Sequence, residues 1–225
     1  MTDGFTIKIC GLSTPETLEA AIEAGAEMIG LVFHPKSPRF VPIETAKALA
    51  GLARGRAAIV ALTVDWTPGR AAELVEALNP DLLQLHGSET PEQVAAIAKQ
   101  ARRPAMKAIG VSSASDLAAL SGFAEIGARL LLDAKAPKDA AYPGGHGRPF
   151  DWTLLAELDP ALPFMLGGGL DPANVAEAIR VARPAGVDVS SGVESAPGLK
   201  DVGRIEAFVR AAREAAAGLK KARTA

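Results

Sequence analysis

The chain has 225 residues, enough for one α/β barrel, and its net charge of −2 provides no basic surface for nucleic acid. Its single cysteine excludes a disulfide framework, and its three histidines lack the spacing of a zinc site. The N-terminus lacks the pattern of a signal peptide, and the longest apolar run, Ala57–Val64, is too short to cross a membrane. We therefore expect one soluble, cytoplasmic domain over residues 1–225.

Eight short apolar runs recur along the chain and predict eight β-strands. They are Phe5–Cys10, Met28–Phe33, Ala57–Val64, Leu82–His86, Ala105–Ile109, Arg129–Asp133, Pro163–Leu166 and Val187–Ser190. Their hydrophobicity is nearly continuous rather than alternating, which is typical of parallel strands buried on both faces. Their starts lie 23 to 34 residues apart, which leaves room for a helix after each strand.

Between the strands, helix starts are marked by a capping residue followed by proline. Clear examples are Thr14-Pro15, Thr90-Pro91 and Asp171-Pro172, and Thr67-Pro68 and Val41-Pro42 are weaker ones. The last helix should run from about Val202 to Leu219, with a frayed basic end at 220–223. The pattern predicts seven helices between the strands and one final helix.

This order of elements predicts an α/β fold, a single (β/α)8 TIM barrel with eight parallel strands and outer helices. The alternative is an open, doubly wound sheet, which should carry Gly-x-Gly-x-x-Gly after its first strand. Gly11-Leu12-Ser13 stands there instead and favours the barrel. The long irregular stretch Ala134–Pro149 is typical of a functional or mobile loop.

In such barrels the active site lies at the carboxyl ends of the strands. The residues at those ends are Cys10, His34, Asp65, His86, Lys107, Asp133, Gly167–Gly169 and Ser190–Glu194. Glycines let backbone N–H groups approach an anion, and a following helix adds a favourable dipole. The last two segments therefore predict a phosphate site, with simple tight turns as the alternative.

Two strand-end residues are candidates for acid–base chemistry. Cys10 is either a small buried hydrophobic residue or a general base, and the second role requires its pKa to fall towards neutrality. Asp133 follows three leucines and is either a capping carboxylate or a general acid. In a closed barrel, strands seven and eight lie between strands six and one. A phosphorylated ligand bound there would lie between Asp133 and Cys10, as the reaction of an isomerase requires.

Other polar residues have two readings each. Arg39, on the second loop, is a solvated charge or a partner for a carboxylate or an aromatic ring. His86 contacts the ligand or only orders its loop. Lys8, Lys107 and Asp188 are strand charges that need partners. We count His86 and Asp188 among the candidate substrate-binding residues.

Several motifs carry a resemblance to a known family. They are Lys8-Ile9-Cys10-Gly11, Gly30–Phe33 with Ser37-Pro38-Arg39, Leu83–Gly87, Leu131-Leu132-Asp133, Gly144-Gly145 and Gly147 with Phe150-Asp151-Trp152, Gly168-Gly169-Leu170 with Asn174-Val175, and Asp188–Glu194. In their order and placement they resemble the phosphoribosylanthranilate isomerases of tryptophan biosynthesis, over about 8–208. The resemblance implies a (β/α)8 barrel that converts N-(5-phosphoribosyl)anthranilate to 1-(2-carboxyphenylamino)-1-deoxyribulose 5-phosphate without a cofactor.

The resemblance also implies roles for particular residues. Cys10 would be the general base, Asp133 the general acid, and Arg39 would lie against the anthranilate. The phosphate would be held by Gly168, Gly169, Ser191 and Gly192. His146 is a departure, because relatives usually carry Thr or Asn at that place.

As partners, the resemblance implies a small phosphorylated substrate, with no nucleic acid and no membrane. It also implies a monomer or homodimer that can dock on another enzyme of the pathway. Two alternatives stay open. A barrel of the ribulose-phosphate epimerase type would need a metal-binding His/Asp cluster on the early strands. A non-catalytic phosphate-binding barrel would need neither Cys10 nor Asp133.

Overall fold

The computed structural model describes residues 4–137, 144–145, 147, 149–156 and 158–224, and it contains a closed barrel of eight parallel strands. The strands are β1 (Thr6–Cys10), β2 (Met28–Val32), β3 (Ala58–Thr63), β4 (Leu82–Leu85), β5 (Ala105–Val111), β6 (Arg129–Ala134), β7 (Phe164–Leu166) and β8 (Gly186–Val189). Each strand pairs with the next, and β8 pairs with β1. The predicted barrel is confirmed, and every strand boundary lies within two residues of the predicted run.

Helices follow most of the strands. They are α1 (Pro15–Glu23), α2 (Ile43–Ala53), α3 (Pro68–Leu78), α4 (Pro91–Ala101), α5 (Leu120–Glu125), α6 (Val175–Ala182) and α7 (Val202–Thr224). Three-residue to six-residue 3-10 helices cover Ala114–Ala119, Trp152–Leu155 and Ser191–Val193, and a small antiparallel pair is formed by β9 (Glu194–Ala196) and β10 (Leu199–Lys200). The side chains of Thr14, Thr67 and Thr90 accept hydrogen bonds from first-turn amides, so these predicted caps are confirmed.

Three predicted helix features are wrong. Among the described residues after β6, only the 3-10 helix Trp152–Leu155 stands where a seventh intervening helix was expected, because glycine and proline crowd the preceding segment. Asp171 does not cap α6: its Oδ1 accepts the N–H groups of Ala173 and Asn174 in a turn, and the helix begins at Val175. Finally, α7 continues to Thr224, so the basic end is helical.

The apolar core of the described residues forms three clusters, and polar groups occupy the end of the barrel at which the strands have their carboxyl ends, here called the upper end. The largest cluster lies between the barrel and its helices, and a second fills the lower barrel with Val60, Leu82, Met106, Ala108, Leu131 and Met165. A third, small cluster of Cys10, Val32 and Leu62 lies at the upper end. Within the described ranges, no helix is long and apolar enough to cross a membrane.

The closure of the barrel between β8 and β1 gives the first prediction. Gly186 pairs with Thr6, and a Cβ added at Gly186 would lie 2.5 Å from the Thr6 carbonyl oxygen. Gly186→Ala should therefore force the two strands apart and lower the free energy of unfolding by about 1–3 kcal/mol. Denaturant unfolding measures the change.

The matched control is Gly51→Ala, because Gly51 lies within α2 with no atom within 4 Å of an added Cβ. That variant should gain about 0.5–1 kcal/mol from helix propensity. Equal stability of the two variants would contradict this account of barrel closure.

Candidate active site

A small cavity at the carboxyl ends of the strands brings together residues from distant parts of the chain. Its lining includes Cys10, His34, Arg39, Gln84, His86, Asp133, Gly144, Gly145, Asp188 and Ser190. Cys10 ends β1 and Asp133 lies on β6, yet both face this one cavity. The structure therefore brings together the two residues that the sequence analysis singled out for acid–base chemistry.

The Cys10 thiol is almost completely buried beside a buried ion pair. Burial raises its pKa above the ordinary value, and the nearby Lys8 ammonium opposes that rise without cancelling it. Burial therefore opposes formation of the thiolate, whereas the role of general base requires the pKa of Cys10 to fall towards neutrality. The reason is that the free energy lost when a thiolate is removed from water exceeds the free energy gained from the neighbouring cations.

Asp133 is held at the cavity by a backbone amide and faces a histidine. Its Oδ1 accepts the Ala134 N–H at 2.7 Å, and its Oδ2 lies 3.3 Å from His86 Nε2. The amide nitrogen of Gln84 donates to His86 Nδ1 at 3.2 Å, which leaves the imidazole proton on Nε2 and facing Asp133. Gln84 is completely buried, and its Oε1 has no hydrogen-bond partner among the described residues. His86 thus contacts the candidate acid rather than only ordering its loop.

Arg39 is anchored by a two-point ion pair. Its Nε and Nη2 donate to the two carboxylate oxygens of Glu194 at 2.7 and 2.8 Å, and all of this is buried. Lys200 also donates to Glu194 Oε1, at 2.6 Å, and the carboxylate accepts the Gly198 N–H. Burial would raise the pKa of Glu194, but the Arg39 and Lys200 cations outweigh it and hold that pKa below its usual range. Two cations share this one carboxylate, and Arg39 is the one that lines the cavity, where a guanidinium suits an anionic ligand.

The two predicted glycine segments lie on the adjoining side. Gly168 has φ +80°, and a Cβ there would lie 2.1 Å from the Ala134 amide nitrogen. A Cβ on Gly192 would lie 1.9 Å from the Leu170 carbonyl oxygen. Only glycine fits at either position, so both segments have bare backbone at the rim. Gly168 and Gly169 also line a second cavity, of about 310 Å³, which shares Asp133 and Gly145 with the first.

A short piece of the segment after β6 covers the first cavity. A Cβ on Gly144 would lie 2.9 Å from His86 Nε2, and one on Gly145 would lie 2.5 Å from Arg39 Nη1. Arg39 Nη2 also donates to the Gly145 carbonyl at 3.4 Å. The space beneath is about 40 Å³, far less than the 300 Å³ or more of an ordinary ligand pocket. Gly144 and Gly145 therefore limit the space in the first cavity.

The remaining candidates lie around this centre. Asp188 is paired with Lys8 at 2.8 Å, and Lys107 is paired with Glu89 at 2.7 Å. His34 lines the cavity, and partial burial lowers its pKa. Two more candidates make none of the contacts described above. Asp65 accepts the Ser88 N–H with its Oδ1, and Ser191 begins a 3-10 helix. His146 lies outside the described residues.

Sequence reasoning missed the role of three residues. The sequence analysis named Glu194 only as one of several residues at the end of a strand. A buried arginine needs a carboxylate as its partner, and that need could have identified Glu194. Lys200 gave no signal, since lysine is an ordinary surface residue until the fold buries it. Gln84 did give one, because a polar side chain inside a predicted buried strand needs a partner. In the described part of the chain, no group of three or more His, Cys, Asp or Glu could hold a metal ion.

Comparison with known proteins adds independent findings. The family model described as N-(5'phosphoribosyl)anthranilate isomerase matches residues 7–211. The protein called N-(5'-phosphoribosyl)anthranilate isomerase from Nitrobacter hamburgensis is 54% identical over 216 residues, which cover 96% of each chain.

Solved structures agree with these matches. The phosphoribosyl anthranilate isomerase of Thermotoga maritima superposes with a TM-score of 0.83 and 36% identity, over 93% of this chain and 99% of that one. Another structure of such an isomerase, in complex with reduced 1-(o-carboxyphenylamino)-1-deoxyribulose 5-phosphate, superposes with a TM-score of 0.80 and 33% identity over the same shares. By family model, by sequence and by fold, this chain belongs to the N-(5'-phosphoribosyl)anthranilate isomerase family.

Proposed function

We propose that this chain converts N-(5-phosphoribosyl)anthranilate to 1-(2-carboxyphenylamino)-1-deoxyribulose 5-phosphate, a step of tryptophan biosynthesis, with Cys10 as base and Asp133 as acid. One observation carries the proposal: a thiol from β1 and a carboxylate from β6 face one cavity, and Gly168 and Gly169 line the cavity beside it. The family membership and the sugar-phosphate analogue bound by a solved relative support the same substrate class.

The first step is ring opening. Asp133 protonates the furanose ring oxygen, and the C1–O bond breaks as the anilino nitrogen donates its electron pair to C1. The product is a protonated Schiff base with an open sugar chain. Asp133 is left as a carboxylate, and the Ala134 N–H and the Nε2–H of His86 are placed to stabilise that charge.

The second step is proton abstraction by the thiolate of Cys10. It removes the proton from C2, and the electrons move into the C1–C2 bond while the positive nitrogen accepts a pair. This gives a neutral enolamine. Addition of a proton at C1 and loss of the proton from the C2 hydroxyl yield the ketone. Neither step uses an oxidant or a reductant, so the residues present are sufficient for the chemistry.

The two ends of the substrate are bound apart from the reacting carbons. The backbone of Gly168, Gly169, Ser191 and Gly192 holds the phosphate. Arg39, fixed by Glu194, contacts the anthranilate carboxylate. Binding energy at these remote groups offsets the entropy lost when C1 and C2 are placed between Asp133 and Cys10. His86 and Asp188 border the same cavity and complete the substrate site.

A single barrel domain over 1–225 is enough for this activity, because every proposed site residue comes from one chain. Either a monomer or a homodimer would therefore be competent, whether or not it docks on another enzyme of the pathway. The reaction needs Cys10 as a free thiol, which fits the reducing cytoplasm.

The direct test is the fall in phosphoribosylanthranilate fluorescence when the enzyme is added. Cys10→Ala and Asp133→Ala should each lower kcat by about 10²–10⁴-fold or more, because each removes one proton-transfer group. Cys10→Ser should also be poor, since an alcohol is not ionised near neutral pH. Glu44→Ala is a control, because Glu44 is an exposed carboxylate paired with Lys47 on the surface of α2. A proposed catalytic variant that keeps more than about a tenth of wild-type kcat would contradict its role.

Phosphate binding gives a separate prediction. Gly168→Val should block the approach of the phosphate, because its side chain must occupy the place now filled by the Ala134 amide. Inorganic phosphate at millimolar concentration should raise the Tm of the wild type but not of this variant. Gly127→Val is the matched control: Gly127 has the similar φ of +73° but no atom within 4 Å of an added Cβ. If the wild type gains no protection from phosphate, the site is not here.

The Arg39 contact is tested by steady-state kinetics. Since the anthranilate carboxylate lies away from the bonds that change, Arg39→Ala should raise KM by about ten- to a hundredfold and affect kcat less. Arg39→Lys should recover little of the loss, because lysine cannot reproduce the two-point pair with Glu194. Arg56→Ala removes an exposed arginine paired with Glu19 and should leave KM unchanged. An unchanged KM in both Arg39 variants would make Arg39 a structural residue only.

A further inference from the structure

The mechanism gives no role to Lys8, a buried charged residue. Lys8 is completely buried on β1, two residues before Cys10, so both side chains point into the barrel. Its ammonium donates to Asp188 Oδ1 of β8 at 2.8 Å. A lysine in the centre of a barrel is costly, and an ion pair placed there is a poor source of stability compared with apolar packing. Some other requirement should account for it.

The backbone of β2 shows how close Lys8 lies to the sulfur. Gly30 is the register partner of Cys10. A Cβ added at Gly30 would lie 2.8 Å from Cys10 Sγ and 3.1 Å from Lys8 Nζ. Cys10 Sγ and Lys8 Nζ therefore both lie next to the position of that Cβ, which only glycine leaves empty. Both side chains thus approach the same position beside the β2 backbone.

We infer that Lys8 is a positioning residue: held by Asp188, its ammonium lies against the Cys10 sulfur and stabilises the thiolate that the reaction needs. This inference rests on the proposed function for the purpose of the thiolate, but the electrostatic arrangement can be measured without substrate.

Charge balance at this point supports the assignment. Burial opposes the charge on Lys8, yet Asp188 and Cys10 together keep the pKa of Lys8 above its ordinary value. The ammonium is therefore present at all physiological pH values. For Cys10, Lys8 is the largest influence that opposes the effect of burial on the thiol pKa.

The other charged groups that face the sulfur are weaker or more distant influences. Asp188 on β8 raises the pKa of Cys10, and Lys200 on β10 lowers it. The remaining titratable groups that line the cavity are His34, Arg39, His86 and Asp133. Lys8 differs from all of these because it shares the strand and the glycine-lined space of Cys10.

The test measures the ionisation of Cys10 in the full chain. Because this is the only cysteine, thiolate absorbance near 240 nm and the rate of alkylation by iodoacetamide both report on one group, with Cys10→Ala as the blank. In Lys8→Met the apparent pKa of the thiol should move about 1–3 pH units higher than in the wild type. At a fixed neutral pH the alkylation rate should then fall about 10–1000-fold. The value of kcat/KM at neutral pH should fall in parallel with the thiolate fraction.

Asp188→Asn gives a change of opposite sign. It removes the acceptor that competes with the thiolate for Lys8 and also removes a nearby negative charge, so the pKa of Cys10 should fall. A general loosening of the barrel would move both variants in the same direction. The control is Lys107→Met, because Lys107 is equally buried and paired but with Glu89, outside the cavity. Its thiol titration should match the wild type.

A folded Lys8→Met with the wild-type thiol titration would overturn the proposal, and so would an unchanged or raised thiol pKa in Asp188→Asn. If the unpaired Asp188 prevents Lys8→Met from folding, the double variant Lys8→Met/Asp188→Asn removes both charges, and its thiol pKa must still rise. A wild type with no isomerase activity but with these shifts would reject the proposed function and leave the role of Lys8 intact.

Discussion

The structure depends on the closure of the barrel between its first and last strands. Strands β1 and β8 lie 180 residues apart at their paired positions, and the buried ion pair of Lys8 and Asp188 crosses this seam. Without closure the carboxyl ends of the strands would form a line rather than a ring. Cys10 would then be at one edge of an open sheet and Asp133 near the other. The shared cavity is a consequence of closure, not of either strand alone.

Above the apolar lower barrel, the buried cations are fixed by carboxylates from other elements. Arg39 and Lys200 share Glu194, Lys8 is held by Asp188, and Lys107 is held by Glu89. A cation fixed in this way loses little freedom when a ligand binds, so the electrostatic field of the rim exists before the substrate arrives. The cost is desolvation of many charges, which small barrels tolerate because their outer core supplies the stability.

The sequence predicts the frame of this site well, because its signals are local. Continuous apolar runs locate the strands, and the rule for strand ends selects Cys10, Asp133 and the glycine segments as rim residues. What it cannot predict are contacts between residues distant in sequence. The pair of Arg39 and Glu194 spans 155 residues. Local signals also fail where two of them compete, as at Asp171, whose turn replaces the expected helix cap.

Cys10 is the most informative residue, because its position at a strand end and its burial affect the thiol in opposite ways. A strand end suggests access to solvent, but the barrel buries this thiol and raises its pKa. A higher pKa reduces the thiolate population, yet each thiolate that forms is a stronger base towards a carbon acid. The useful compromise lies where the two effects balance near the working pH. Burial raises the pKa of the Cys10 thiol, and the ammonium of Lys8 opposes that rise. The buried lysine and the buried thiol therefore depend on each other: each charge would be unfavourable at this position without the other.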